Sequence, residues 1–379
     1  MEAKKVLTSE QKKFKKLLLK LPKTEIHLHL EGLASVKTIW KLMKKNNLQY
    51  KGINSKSDLK KKFQITCLED FLDLFINIVQ NSFLTENDIE YLFDDAKEYL
   101  LENNIIYSEL FFAPSKFIQM GLDFKKIVKL LTDGAEQIKK KHKIEIKFII
   151  DVSRSFGVEN AMKNLDLVLA NPSKAIIGIG LGGSEKKGPA KDYAKVFEKA
   201  VSKGLHVVAH AGEDVGPQSI WDSLNYLKAQ RIGHGISAIQ DEKLMNHLAK
   251  KQIPLEICPT SNLFTRKYAK TLKAHPVKVF FARNLDVTIN TDDPTIFSVN
   301  LIEEYMNLLT ENIFTEKEII QLIKNGVFAT FLPESRKKEI WRMIETKLSK
   351  EALKSHQNPC QNIKAAVQQF FKKLFPFSR

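Results

Sequence analysis

The run Glu25-Ile26-His27-Leu28-His29-Leu30 is the stretch on which the fold turns. Ile26, Leu28 and Leu30 alternate with Glu25, His27 and His29, which is the two-residue period of a β-strand and puts both imidazoles on one face. Seven more short apolar runs rich in branched residues follow, at 105–112, 144–152, 175–181, 206–210, 231–235, 254–258 and 286–290. Between them lie stretches with apolar residues at three- and four-residue spacing, at 69–79, 86–101, 124–139, 192–201 and 241–249. Strands that alternate with amphipathic helices form parallel βαβ units, and eight of them predict a (β/α)8 TIM barrel of the α/β class with His27 and His29 facing its interior.

Residues 33–104 form a longer interval than one crossover needs, so extra helices are expected after the first strand, placed to close over the barrel mouth. Beyond Pro294 the pattern turns wholly helical, at 301–309, 316–325 and 337–348, and these helices are expected outside the barrel. No repeat, low-complexity tract or linker interrupts the chain. The expectation is one domain over 1–379, with a core barrel at about 20–330 and C-terminal helices at about 331–379.

The 379 residues are 43% hydrophobic and 27% charged, ordinary values for a globular protein. The net charge of +16 would suit a nucleic-acid partner if the lysines clustered beside aromatic residues, but they are scattered along helix faces, so none is expected. No apolar run approaches the roughly 20 residues of a membrane span. The Phe- and Lys-rich segment at 368–377 reads as packing against the barrel, so stable membrane association is not expected either. Cys67, Cys258 and Cys360 are far apart and odd in number, which argues for a reducing, cytoplasmic setting. No feature specifies an oligomeric state.

His27-Leu28-His29 alone is compatible with a metal or with two satisfied core histidines. Further candidates stand at the C-terminal ends of later strands, where barrel active sites gather: His210, His234 and the pair Asp292-Asp293. Three histidines and one carboxylate suit a zinc ion, which lowers the pKa of a bound water to about 7 and so points to hydrolysis. Glu213, three residues after His210 and behind Gly212, is placed to act as a general acid toward a ring nitrogen, or else caps a helix N-terminus. Gly180-Leu181-Gly182-Gly183 is either a simple turn or a place where a flat ring approaches backbone amides. His142, His206, His247, His275 and His356 receive no ligand role.

Together these segments resemble the adenosine deaminase family of the amidohydrolase superfamily. The matching runs are Leu21 to Gly32, His210-Ala211-Gly212-Glu213, Arg231 to Gly235, Glu256 to Asn262, and Asn290-Thr291-Asp292-Asp293-Pro294. The resemblance implies one zinc ion held by His27, His29, His210 and Asp292, with a water on it as nucleophile. It implies that Glu213 protonates N1 of a purine, that His234 orients and helps deprotonate the water, and that Asp293 hydrogen-bonds the attacking hydroxyl or N7. Gly183 would meet N3 through its amide, with His29 and Glu31 also at the substrate.

The implied reaction is deamination of adenosine and 2′-deoxyadenosine to inosine and ammonia, in purine salvage. Glu31 departs from the Asp common in that branch and resembles adenine deaminases, whereas Gly233 and Pro259-Thr260-Ser261-Asn262 resemble the nucleoside branch. Gly180 and Ser184 replace acidic residues common at this turn. Free adenine and aminodeoxyfutalosine, the latter in menaquinone synthesis, are the alternative substrates, and a non-catalytic zinc-binding barrel is the reading outside enzymes. A deaminase of the H-x-E and P-C-x-x-C type is excluded, because Cys258 has no partner at that spacing.

Overall fold

The computed structural model describes residues 6–65, 67–265 and 267–355. Its centre is one parallel sheet with the strands in sequence order: β1 (Lys23–His29), β2 (Ile105–Phe112), β3 (Glu145–Ser153), β4 (Ile176–Gly182), β5 (His206–Ala211), β6 (Arg231–His234), β7 (Leu255–Ile257) and β8 (Val287–Ile289). The ends of the sheet meet through a parallel bridge between Leu28 and Asp292. There the His29 amide donates to the Asp292 carbonyl at 2.9 Å, and the Asp292 amide donates to the His27 carbonyl at 3.1 Å. The Asn290 side-chain oxygen accepts from the amides of Ile26 and His27, so a polar side chain completes hydrogen bonds that the short β8 cannot supply. The closed sheet with helices around it is a (β/α)8 barrel, and each expected strand is present with its ends shifted by no more than two residues.

β1 is buried along its whole length, as befits a strand covered on both faces. Phe111, Ile149 and Val208 form a small apolar layer inside the barrel, with Phe331 packed against it. The other buried apolar side chains join in one larger cluster between the sheet and the helices.

The interval after β1 holds the expected extra helices, including Val36–Lys45, Lys56–Lys62, Leu68–Asp73 and Glu90–Glu102. One detail differs from the sequence reading. The stretch 69–79 is not a single α-helix: Leu68–Asp73 widens into a π-helix over Leu74–Val79 and then tightens into a 3-10 turn over Gln80–Ser82. An insertion of this kind re-aims side chains and recurs at functional sites. The helices Gly157–Ala170 and Gln218–Tyr226 also form, although their apolar spacing was not singled out from the sequence.

After β8, Leu301–Thr310 and Glu316–Phe328 pack against the barrel, the latter on β8 and β1, and Glu334–Ser355 lies on Glu316–Phe328. No helix among the described residues is long and apolar enough to cross a membrane. The Phe-rich segment 368–377, Cys360 and His356 lie outside the described residues.

Candidate active site

At the C-terminal end of the barrel one nitrogen each from His27, His29 and His210 and one oxygen of Asp292 lie within 4.8 Å of one another. His29 Nε2 and His210 Nε2 are 3.2 Å apart, His29 Nε2 and Asp292 Oδ1 are 3.2 Å apart, and His27 Nε2 and Asp292 Oδ1 are 3.4 Å apart. Four ligands at about 2.0–2.1 Å from a tetrahedral zinc ion are separated by roughly 3.3 Å, so these spacings are those of a shared coordination shell. His27 Nε2 is buried and has no hydrogen-bond partner among the described residues, which leaves its lone pair for a cation. Three imidazoles and a carboxylate are also the donor set that a borderline divalent metal takes. The residues therefore fit the group.

Backbone and packing aim each of these side chains. Asp292 has φ near 66°, a left-handed conformation rare outside glycine, and it is held there by the two backbone bonds to β1. Ser261 donates to Asp292 Oδ2 at 2.7 Å and leaves Oδ1 for the cluster. Gly233 is required for space: a Cβ there would stand 2.7 Å from Cε1 of His27. The Phe111 ring lies about 5 Å from the rings of His27, His29 and His210 and makes the floor beneath them.

Behind His27 a chain of buried ions runs down the barrel axis. His27 Nδ1 lies 2.7 Å from Glu256 Oε2 and donates its proton there, which fixes Nε2 as the unprotonated nitrogen. Arg231 pairs with Glu256 and with Glu109, each at 2.6 Å. Glu109 also accepts from Tyr107 Oη at 2.9 Å and from the Phe331 amide at 2.6 Å, and Arg231 donates to the Ala329 carbonyl at 3.0 Å. The Arg231 guanidinium sits 3.8 Å over the Phe331 ring, which in turn stacks on His206. The segment after Glu316–Phe328 thus plugs the far end of the barrel and ties it to a side chain of the cluster.

Glu213, His234, Asp293 and Gly183 line one cavity with His29, His210 and Asp292, a space of about 950 Å³ out to its mouth. Burial, reinforced by the charges of Asp292 and Glu185, pushes the Glu213 carboxyl well above the usual carboxylate range. Burial and the adjacent Asp292 do the same for Asp293, whose two oxygens have no partner among the described residues. His234 Nε2 stands 3.4 Å from Glu213 Oε2, and burial together with the other imidazoles lowers its pKa to about 3. Gly183 has φ near 83°, so the chain turns there in a way that a side chain would strain, beside Ser153.

Glu31 is fully buried next to the site: its Oε1 accepts from the Ala113 amide at 2.9 Å and from Gln80 Nε2 at 3.2 Å, and its Oε2 has no partner among the described residues. Gln80, from the turn that ends the π-helix, lines the cavity.

The sequence reading gave no role to Glu185, Asp151, Glu256 or Arg231, although Arg231 and Glu256 open two of the matching runs. Glu185 accepts from the amides of Gly212, Glu213 and Asp214, each at 2.8 Å, and so holds the loop that carries Glu213. Asp151 lines the cavity beneath Gly182, and burial raises its pKa to about 6. A signal was available for three of the four: Asp151 interrupts the apolar run 148–152, and Glu256 and Arg231 stand beside apolar residues in short strands, positions that a buried strand tolerates only with partners.

A family model described as adenosine deaminase matches residues 22–347. The chain is 34% identical over 327 residues to the adenine deaminase of Crocosphaera subtropica, covering 86% of this chain and 99% of that one. It is 33% identical over 328 residues to the aminodeoxyfutalosine deaminase of Streptomyces coelicolor, covering 86% and 84% respectively. Among solved structures it resembles the adenine deaminase of Arthrobacter aurescens, with a TM-score of 0.82 and 26% identity over 86% of this chain and 99% of that one.

Proposed function

The chain belongs to the adenosine deaminase family, and on that premise we propose that it removes the exocyclic amino group of an adenine ring by metal-dependent hydrolysis. The observation that carries the reading is the meeting of His27, His29, His210 and Asp292 at coordination spacing, beside a carboxyl whose pKa burial pushes up. Zinc, when bound by those four residues, would supply Lewis acidity that brings the pKa of water to about 7.

The chain's own groups divide the remaining work. Glu213 gives its proton to ring N1, which withdraws electrons from C6. The oxygen of water then bonds to C6 as one of its protons passes to the Glu213 carboxylate and restores the acid; the other passes to the amino nitrogen, and the C6–N bond breaks to release ammonia as the C6 carbonyl forms. Asp293, whose carboxyl is pushed up by burial, hydrogen-bonds N7 or the incoming oxygen, and the Gly183 amide meets N3. His234 orients the water. The aromatic and aliphatic side chains of the cavity exclude bulk solvent, which strengthens each of these contacts.

For the substrate we propose an adenine nucleoside, with adenosine and 2′-deoxyadenosine first. Its support is the sequence, in which Gly233 and Pro259-Thr260-Ser261-Asn262 resemble the nucleoside branch of the family. A second reading is favoured by a different observation. Lys116 lines the cavity and forms no ion pair among the described residues, and the insert adds Phe71 and Phe75 to the same wall. A cation beside an aromatic wall suits a nucleoside with a longer, anionic arm, as in aminodeoxyfutalosine. Free adenine is supported by Glu31, which resembles the adenine deaminase branch, and by relatives that are adenine deaminases.

The test is ammonia release from adenosine, 2′-deoxyadenosine, adenine and aminodeoxyfutalosine by one zinc-loaded preparation, with Glu213→Gln alongside. The variant is expected to keep its zinc and to lose about 10²- to 10⁴-fold in kcat. Ammonia from none of the four compounds overturns the activity, and near-normal turnover by the variant overturns the role of Glu213.

A further inference from the structure

Behind His234, on the side away from the cavity, three residues form a hydrogen-bonded line whose direction is set by the backbone. The helix Val277–Ala282 begins after Pro276, and its first amide has no partner within the helix. That Val277 amide donates to Nδ1 of His275 at 3.1 Å. A backbone N–H has no alternative role, so Nδ1 of His275 must be the nitrogen without a proton. His275 is 3% exposed, and desolvation lowers its pKa to about 3, so the ring is neutral and its single proton sits on Nε2. Nε2 lies 3.2 Å from the side-chain oxygen of Asn262 and donates to it.

This settles the orientation of the buried Asn262 amide. With its oxygen turned to His275, its nitrogen faces Nδ1 of His234 at 3.0 Å and donates. The reverse orientation would set the Asn262 N–H₂ against the His275 N–H and leave two buried donors opposed, at a cost of about 1–3 kcal/mol for each group left unsatisfied. Nδ1 of His234 is therefore an acceptor. The proton of neutral His234 is on Nε2, the nitrogen 3.4 Å from Glu213 and 4.0 Å from Asp292. His234 has φ near 61°, so its backbone is also held in a conformation that few residues adopt.

We infer that Asn262 and His275 are positioning residues that lock His234 in the tautomer whose Nε2–H points into the cavity. His234 then donates a hydrogen bond toward an oxygen bound there. Nε2 has no free lone pair with which to take a proton from water. This replaces the expectation that His234 helps to deprotonate the nucleophile, and it rests on the reading of the cavity as the site of hydrolysis. The device is an electrostatic one: a donor set in place before the reaction stabilises negative charge on oxygen without reorganising.

The tautomer is read directly by ¹⁵N NMR of the imidazole nitrogens in the zinc-loaded wild-type protein. The expected spectrum has a protonated Nε2 and an unprotonated Nδ1 for His234, and the same pattern for His275. Asn262→Asp presents acceptors to both rings and is expected to move the His234 proton to Nδ1. With it kcat should fall about 100-fold, the scale of losing one preorganised donor, while KM changes little. His275→Leu should cause a similar loss, and His275→Gln, which can accept from Val277 and donate to Asn262, should recover most of it. A His234 with its proton on Nδ1 in the wild type, or Asn262→Asp with wild-type kcat, overturns the inference. Wild-type protein that shows the expected tautomer but deaminates no adenine compound leaves the relay standing and removes the proposed reaction.

Discussion

The two walls of the cavity are built on different principles. The wall made by the strand ends carries His27, His29, His210, His234, Asp292 and Asp293, and three of them are held from behind: His27 by Glu256, Asp292 by Ser261, His234 by Asn262. The wall made by the insert after β1 carries Phe71, Leu72, Phe75 and Ile76 and meets the rest through ring contacts, such as Phe71 stacked on Phe297 at 5.5 Å. Hydrogen-bonded ions in a dry interior hold one geometry, whereas apolar contacts tolerate exchange of one hydrophobe for another. The comparison assigns the reaction to the first wall and the choice of substrate to the second.

The sharpest way to break the comparison is to cut the ion chain far from the cavity. Arg231 is 1% exposed and pairs with both Glu109 and Glu256, so Arg231→Met leaves two buried carboxylates without their cation. Breaking such an arrangement from one side costs about 3–5 kcal/mol. Glu256 would also lose the cation that pairs with it behind His27, and loss of support for a ligating histidine lowers metal affinity about 10- to 100-fold. Denaturant melts of the metal-free protein and a competitive zinc titration read the two effects separately. If Arg231→Met unfolds like wild type and binds zinc equally tightly, the strand-end wall is not braced from the barrel floor.

On the opposite wall the expected effect is smaller and of another kind. Phe71 is half-buried and stacks on Phe297 at the cavity edge. Phe71→Leu keeps an apolar side chain there, so folding and zinc content should not change. KM for the preferred substrate should rise about tenfold, with kcat within about a factor of two. A loss confined to kcat would show that the insert shapes the reaction as well as the fit, and the division between the walls would fail.

The same contrast explains what could be read from the sequence. The strand-end residues were legible because a strand's period is two and the ends of parallel strands converge, so His27, His29, His210, His234, Asp292 and Asp293 declare their place by position alone. The supports were not. That Glu256 meets His27, or that His275 directs Asn262, depends on contacts between β7, β1 and the start of Val277–Ala282 that no local pattern encodes. The insert was legible only as helical. Its widening at Leu74–Val79, which ends in Gln80 and so leads to the contact that covers Glu31, is set by packing over the barrel mouth, and a local apolar period does not distinguish it from an ordinary helix.

The smallest effect concerns how the helix Pro259–Thr265, which carries Ser261 and Asn262, is attached. Glu304 is fully buried on Leu301–Thr310 and accepts from the Thr260 amide at 2.9 Å. Burial raises its pKa to about 8, so the native protein keeps this proton over a range in which the unfolded chain has released it, from about 4.3 upward. The native state then binds more protons, and the contribution of this group to stability is present at low pH and is lost as pH rises through that interval. Glu304→Gln retains an acceptor for Thr260 without the titration. Relative to wild type its thermal midpoint should climb between pH 5.5 and 8.5, by a few degrees at the upper end. Glu25 and Asp151, with pKa values raised to about 7 and 6, tilt both curves alike, so the difference isolates Glu304. Parallel curves would mean that Glu304 is ionised in the folded protein, and the strand-end wall would then hold a buried charge with no cation beside it.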